Sequence, residues 1–254
     1  MLLLGIIEGV TEFLPISSTG HLIIAEQALG ARTELFNVVI QTGAVLAVIL
    51  VFWKRVKELL LRWNDPGTQD YLIKLMTAFV ITGVGGVILK KLQYKLPASP
   101  IPVAWATLIG GILILAVERW LKGKTLTDRV SWPIAVVVGL AQLVAAVFPG
   151  SSRSGTTILA ALLLGLNRPR AAEFSFLLGI PTLLSAAALE IYSAHHQGAT
   201  IDWASVMIGF FAAAVTAFAA VKWLLRYVQT HTFVLFGYYR IVLGILIFAL
   251  AKRL

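Results

Sequence analysis

The sequence predicts an all-α, polytopic membrane protein with six transmembrane helices and two re-entrant helix-loop-helix segments. Composition, the spacing of long apolar stretches and a repeated motif support this fold class. Apolar residues make up 59% of the chain and charged residues 13%, against roughly 45–50% and 25% in soluble domains. We therefore expect one integral membrane domain, residues 1–254, arranged as inverted-topology repeat halves of about 1–130 and 131–254.

Six apolar stretches are long enough to cross a bilayer, which takes about 20 residues. Tryptophans such as Trp53, Trp105, Trp120 and Trp203 fall near their ends, and tryptophan prefers the membrane interface. The net charge of +9 is explained by basic loops that fix orientation. The lipid bilayer is thus the expected partner, and nucleic acid is not. The predicted spans are 36–53, 71–90, 102–121, 172–192, 203–225 and 235–251.

The lysines and arginines between the spans predict the orientation of the chain. Thirteen lie in the loops around 54–74, 119–129, 168–170 and 222–226, and six lie around 32, 90–95 and 252–253. Cytoplasmic loops carry the excess of basic residues, so the first set is expected in the cytoplasm. The first re-entrant segment would then open to the outside.

One motif occurs twice, 134 positions apart. Each copy is a short apolar helix that ends at a proline and is followed by hydroxyl and glycine residues. Three spans separate the copies, so the second enters the membrane from the opposite side. The two loops should meet near the midplane, as in inverted-repeat transporters. The matches are Gly5 with Gly139, Glu8 with Gln142, Pro15 with Pro149, and Ser17-Ser18 with Ser151-Ser152.

Glu8 and Glu12 in the first copy are spaced to place both carboxylates on one helical face. An ionisable group near the bilayer centre costs roughly 2.5–3.5 kcal/mol. Two carboxylates repel, so both stay ionised only beside a cation. The pair predicts a divalent metal site, or a general base with a metal-binding partner. The alternative is that both carboxylates are simply solvated near headgroup water.

The segment after Pro15 carries hydroxyls at a helix start, where free amides suit an anion. His21 follows Ser18 by three residues, so it can reach that hydroxyl or the bound substrate, and its pKa suits proton transfer at neutral pH. The alternative is plain helix capping. We take Ser18 and His21 as catalytic candidates, with Ser17 and Thr19 as substrate-binding candidates.

The second copy reads Pro149-Gly-Ser-Ser-Arg-Ser-Gly-Thr-Thr157. Arginine is the preferred planar partner of phosphate, and Arg153 lies in an otherwise apolar stretch. Together with the helix start at 154–157, this pattern predicts an oxyanion cradle. Arg240, inside the last span, is expected to extend to the interface. The substrate-binding candidates of this half are Ser151, Ser152, Ser154, Thr156, Thr157 and Gln142.

The two motifs together resemble the bacterial undecaprenyl-diphosphate phosphatases of the bacitracin-resistance type, over essentially the whole chain. The resemblance implies removal of the terminal phosphate of undecaprenyl diphosphate, which regenerates the lipid carrier for peptidoglycan synthesis. It implies catalytic or ligand roles for Glu8, Glu12, His21 and Arg153, together with a divalent-ion requirement and an outward-facing site in the bacterial cytoplasmic (inner) membrane. It also implies that serines and a threonine of the site correspond to Ser18, Ser152 and Thr157.

A lipid diphosphate and two glutamates bring more negative charge than Arg153 balances, so we expect Mg²⁺ or Ca²⁺ between them. The expected mechanism is attack by Ser18, with His21 or Glu12 taking its proton, although attack by His21 or by water is equally open. The principal alternative is a polyprenyl-phosphate transporter or flippase, with or without hydrolysis. The sequence leaves the oligomeric state open, a homodimer included.

Overall fold

The fold is described from a computed structural model that covers residues 1–92, 99–198 and 201–251. Within those residues the chain forms eleven α-helices and no β-strand. Lys95, Lys252 and Arg253, which entered the prediction of orientation, lie outside the described residues. The helices are α1 (Leu2–Thr11), α2 (Ser18–Leu29), α3 (Glu34–Val51), α4 (Trp53–Leu61), α5 (Pro66–Lys91), α6 (Pro100–Leu121), α7 (Trp132–Val147), α8 (Arg153–Leu163), α9 (Arg168–His196), α10 (Trp203–Thr230) and α11 (Val234–Leu250).

All six predicted spans are helices, which confirms the all-helical membrane fold class. Five of them, α3, α5, α6, α9 and α10, are long and apolar enough to cross a membrane by length and composition. The sixth, α11, is apolar but has only 17 residues. At 1.5 Å per residue it is shorter than the roughly 30 Å hydrocarbon core.

Several long helices begin where the sequence places a capping side chain before a proline. Asp65 accepts from the amide of Thr68 ahead of Pro66, and Ser99 accepts from the amide of Ile101 ahead of Pro100. Such a cap satisfies a free amide, and proline fits the first helical turn. These starts set where α5 and α6 enter the apolar layer. The helix α4, in contrast, falls in a segment that the sequence analysis treated as a basic loop.

The two halves share an order of elements: two short helices, then three long ones, with α4 as an addition in the first half. In this order α1 corresponds to α7, and α5 corresponds to α10. Accordingly α1 packs against α10, and α7 packs against α5, while α3 packs on α9 and α6 packs on α11. Each of α1 and α7 thus packs against a long helix of the other half, as expected for a repeat. The inversion of one half relative to the other stays a prediction.

The matched glycines explain how the short helices approach the long ones. A Cβ on Gly5 would lie 2.3 Å from the carbonyl oxygen of Gly209 in α10. A Cβ on Gly139 would lie 2.8 Å from the carbonyl oxygen of Ala78 in α5. Small residues let helix backbones meet closely in a membrane. This close packing holds the broken hairpins, α1–α2 and α7–α8, against the long helices.

Candidate active site

Each broken hairpin turns at a serine in a strained backbone conformation. Ser17 precedes α2 with φ 72°, and Ser152 precedes α8 with φ 68°. They are the only non-glycine residues with positive φ among the described residues. Each side chain accepts a hydrogen bond from the amide three residues ahead, Gly20 or Gly155, at 3.2 Å. Strain of this kind concentrates at functional sites and marks both turns as candidates.

The turns correct the sequence alignment of the two copies by one residue. Ser17 and Ser152 cap their helices in the same way, so Ser18 corresponds to Arg153 rather than to Ser152. The extra residue of the second copy is Gly150, which adopts φ 92°. A residue inserted after the proline is tolerated there because glycine accepts that conformation at little cost.

The two hairpins meet through Glu12, at the end of α1. Its Oε1 lies 2.9 Å from a guanidinium nitrogen of Arg153, and its Oε2 accepts a hydrogen bond of 2.8 Å from the Ser18 hydroxyl. Glu12 is buried, and Arg153 is largely so. One carboxylate therefore joins a cation of the second hairpin to a hydroxyl of the first.

Arg153 is held by α9 as well as by Glu12. Its guanidinium donates to the carbonyl oxygen of Ser175 at 3.4 Å and lies 4.9 Å from the centre of the Phe13 ring. A Cβ on Gly179 would come within 2.4 Å of it, so this glycine provides the space for the side chain. The arginine is thus fixed in orientation before any ligand arrives.

Two further hydroxyls of the second motif fasten α8 to its neighbours. The Ser154 hydroxyl contacts the carbonyl oxygens of Glu12 and Leu14 at 3.2 and 3.0 Å. The Thr157 hydroxyl lies 2.6 Å from that of Ser175. These bonds fix the start of α8 against the end of α1 and against α9, so both residues support the loops rather than face an open space.

Glu8 lies one helical turn before Glu12 and is fully buried. Neither of its carboxylate oxygens makes a hydrogen bond of good geometry within the described residues, although the side chains of Glu12 and Gln41 approach it. A buried carboxylate without a partner is costly. Its donor set suits a hard cation, since Mg²⁺ is commonly held by one or two carboxylates together with substrate phosphate oxygens. No group of three or more potential metal ligands occurs among the residues that the structure describes.

His21 lies on the same face of α2 as Ser18, one turn further along. Its Nδ1 is 2.8 Å from the carbonyl oxygen of Ser17, so Nδ1 carries the proton and donates. Its Nε2 lies 2.6 Å from the hydroxyl of Tyr239 in α11 and accepts from it. The contacts that the structure gives His21 are with these two residues, and none is with Glu12 or Arg153.

Comparison with known proteins identifies the family. The family model described as "Bacitracin resistance protein BacA" matches residues 1–246. The chain belongs to this family. Among curated relatives, proteins named "Undecaprenyl-diphosphatase" from Xylella fastidiosa (strain 9a5c) and Rhizobium johnstonii are 51% and 50% identical over 249 and 252 residues. These alignments cover 97% and 98% of this chain and 95% of each relative.

Some predicted residues of this BacA-family chain lie apart from the Glu12–Arg153 contact. Gln142, the counterpart of Glu8, donates to the Thr82 hydroxyl of α5 at 2.8 Å. Thr19 is exposed, and the Thr156 hydroxyl bonds to carbonyl oxygens of its own helix. The Ser151 hydroxyl is buried without a hydrogen-bond partner in the described part of the chain. Their predicted roles in substrate binding gain no geometric support from these contacts.

The predicted position of Arg240 is wrong. Arg240 is 0% exposed and does not extend to the interface. Its guanidinium donates to five backbone carbonyl oxygens at 2.9–3.4 Å, so it joins both broken loops to α6. The sequence contained a signal for this buried role, because Arg240 lies within an apolar stretch, as Arg153 does. The acceptors are the carbonyl oxygens of Pro15, Ala106, Thr107, Gly150 and Ser151.

Proposed function

We propose that this protein hydrolyses undecaprenyl diphosphate to undecaprenyl phosphate and inorganic phosphate, and so recycles the lipid carrier of peptidoglycan synthesis and confers bacitracin resistance. Membership of the family and the shared name of the relatives support the reaction. The observation that carries it is the Ser18–Glu12–Arg153 contact, which joins a nucleophile, a base and a phosphate-binding cation. A transporter without hydrolysis is not favoured, since the relatives carry the name of a hydrolase.

Binding of the diphosphate rests on the second hairpin. Arg153 stands at the first position of α8, where the partial positive charge of the helix start adds to its own. The terminal phosphate competes with Glu12 for the guanidinium of Arg153. Both a phosphate and a carboxylate present two oxygens that can accept a pair of N–H bonds from it. Displacement of Glu12 from Arg153 leaves its carboxylate free to act on Ser18.

The first hairpin supplies the proposed chemistry. The Ser18 Oγ attacks the terminal phosphorus, its proton passes to Glu12, and the bond from that phosphorus to the bridging oxygen breaks. Undecaprenyl phosphate leaves, and water then cleaves the bond between Ser18 and phosphate. The Ser18 Oγ lies 2.8 Å from Oε2 of Glu12, and a nucleophile and its base need to lie within hydrogen-bond distance. Direct attack by water activated by Glu12 is the alternative, and it forms no phosphoserine.

Glu8, with Glu12, is proposed to hold Mg²⁺ or Ca²⁺. The buried carboxylate oxygens of Glu8, which have no hydrogen bond of good geometry in the described residues, support this assignment. When bound, a divalent ion neutralises phosphate charge and polarises phosphoryl oxygens. The residues of this chain contribute the remaining charge balance through Arg153 and the amides of α8.

The same proposal extends to location. We place the protein in the bacterial cytoplasmic membrane, with the mouth of the first hairpin outside. Thirteen lysines and arginines lie in one set of loops and six in the other, and the more basic side of a membrane protein faces the cytoplasm.

The test is release of inorganic phosphate from a long-chain prenyl diphosphate by the purified protein. We expect Ser18→Ala to lower the rate by at least about 100-fold, since the nucleophile is lost. Thr77→Ala is the matched control, because this α5 hydroxyl donates to the carbonyl oxygen of Ile73 in its own helix. Excess chelator should also abolish release. A wild-type rate for Ser18→Ala would refute attack by Ser18, and no release by the unaltered protein would overturn the proposed function.

A further inference from the structure

An apolar groove reaches the membrane-facing surface beside the first hairpin. It lies between α1, α10 and α11, encloses about 450 Å³, and its walls include Val10, Leu14, Trp223 and Leu235. Several of these side chains are exposed on the lipid-facing surface, Leu235 by 57%. We call it the first groove. It is open sideways to the bilayer, so an apolar chain can enter it without leaving the membrane.

The first groove has a polar end at the candidate active site. His21 and Tyr239 are part of its lining and bond to each other. Thr11, the other residue of its lining with a hydroxyl, donates to the carbonyl oxygen of Ile7 within α1. His21 is one helical turn from Ser18, which bonds to Glu12. The groove therefore runs from the lipid to within one turn of the proposed nucleophile.

A second groove of similar size occupies the corresponding place in the other half. It lies between α6, α7 and α8 and encloses about 440 Å³. Val144 and Phe148 line it at the positions that match Val10 and Leu14. Its polar end carries Ser151 and Thr156, which have no group that titrates near neutral pH. The two grooves thus differ mainly in what lies at their ends.

We propose that the first groove, and not the second, binds the prenyl chain of the substrate next to its diphosphate. The inference rests on the proposed function, because that reaction requires a diphosphate joined to a long branched hydrocarbon. The lining of the first groove matches that hydrocarbon, and His21 in this lining lies one helical turn from Ser18. The remainder of the chain lies in the bilayer, since the groove holds only its first few isoprene units.

The closing experiment compares matched substitutions in the two grooves. Val10→Trp and Val144→Trp each add a large ring to a side chain that faces lipid at 38% and 47% exposure. Phosphate release is measured with an eleven-isoprene and a one-isoprene diphosphate. We expect Val10→Trp to raise KM for the long substrate about tenfold with kcat little changed, and to leave kcat/KM for the short one unchanged. Val144→Trp should alter neither value.

Three outcomes overturn the groove assignment: an unchanged KM in Val10→Trp, equal effects of the two substitutions, or an equal loss with the short substrate. Photocrosslinking of the unaltered protein by a benzophenone-bearing prenyl diphosphate gives a second measurement that needs no variant. Adducts should map to α1 and α11, and adducts on α6 and α7 instead would refute the assignment. Absence of hydrolysis by the unaltered protein with any substrate refutes the proposed function itself.

Discussion

The two broken hairpins share a backbone and divide the chemistry. Ser17 and Ser152 take the same strained conformation and make the same cap, and Gly5 and Gly139 make the same close contact with a long helix. Their side chains differ where the hairpins meet: the position that is Ser18 in the first hairpin is Arg153 in the second. The comparison teaches that a duplicated turn can supply two unlike halves of one site.

The largest expected effect tests the cation of the second hairpin. Arg153→Lys keeps the charge but removes the planar fork that binds a phosphate or carboxylate through two bonds. We expect kcat/KM for phosphate release to fall about 1,000-fold, at the upper range for loss of one oriented donor. A fall of less than tenfold would show that charge alone suffices and that the fork contributes little.

A substitution of Arg240 tests whether the stability of the protein depends on the hydrogen bonds that this side chain makes to the loops of both hairpins. Arg240→Met preserves much of the volume but removes the guanidinium that five backbone carbonyl oxygens share as a donor. We expect the free energy of unfolding in detergent to fall by about 3 kcal/mol. Arg226→Met, at an exposed arginine of α10, serves as the control. Equal melting temperatures for the two variants would contradict the role of Arg240 in holding the loops.

The matched positions Glu8 and Gln142 test whether metal binding belongs to one hairpin only. Glu8→Gln should raise the Mg²⁺ concentration for half-maximal activity at least about tenfold, because a charged oxygen ligand is lost. Gln142→Leu removes only the bond to Thr82 and should leave that concentration unchanged. Titration of phosphate release with Mg²⁺ distinguishes the two, and a parallel shift in both variants would argue against the assignment.

The smallest effect tests the shared backbone. Ser17→Gly and Ser152→Gly each remove a capping bond but relieve a positive φ, and glycine caps cost only a few tenths of a kcal/mol. We expect both to change the free energy of unfolding by less than about 1 kcal/mol, and by similar amounts. A large loss in one variant alone would mean that the two turns are not equivalent.

The sequence predicted the parts of this fold that depend on local pattern. Apolar length located the six helices predicted as spans, and the proline-serine motifs located both turns. Glu12, Ser18 and Arg153 were chosen by chemistry, and the structure brings them into contact. Their catalytic roles stay predictions.

Other features depend on packing that no local pattern encodes. The extra Gly150 shifts the repeat by one residue after the proline, which only the geometry of the caps reveals. Gln142 looked like a counterpart of Glu8, yet its partner Thr82 comes from a distant segment. Arg240 collects carbonyl oxygens from three regions of the chain, so its role follows from the tertiary fold alone.

During synthesis the half that carries Glu8 and Glu12 enters the bilayer before the partner of Glu12 exists. Until Arg153 follows, the Glu12 carboxylate lacks this counter-ion, and an unpaired ionised group near the bilayer centre costs roughly 2.5–3.5 kcal/mol. Because Glu12 pairs with Arg153 of the second half, we expect the stability of the first half to depend on the second. A gene split within the loop between α6 and α7 should yield stable protein only when both fragments are produced together.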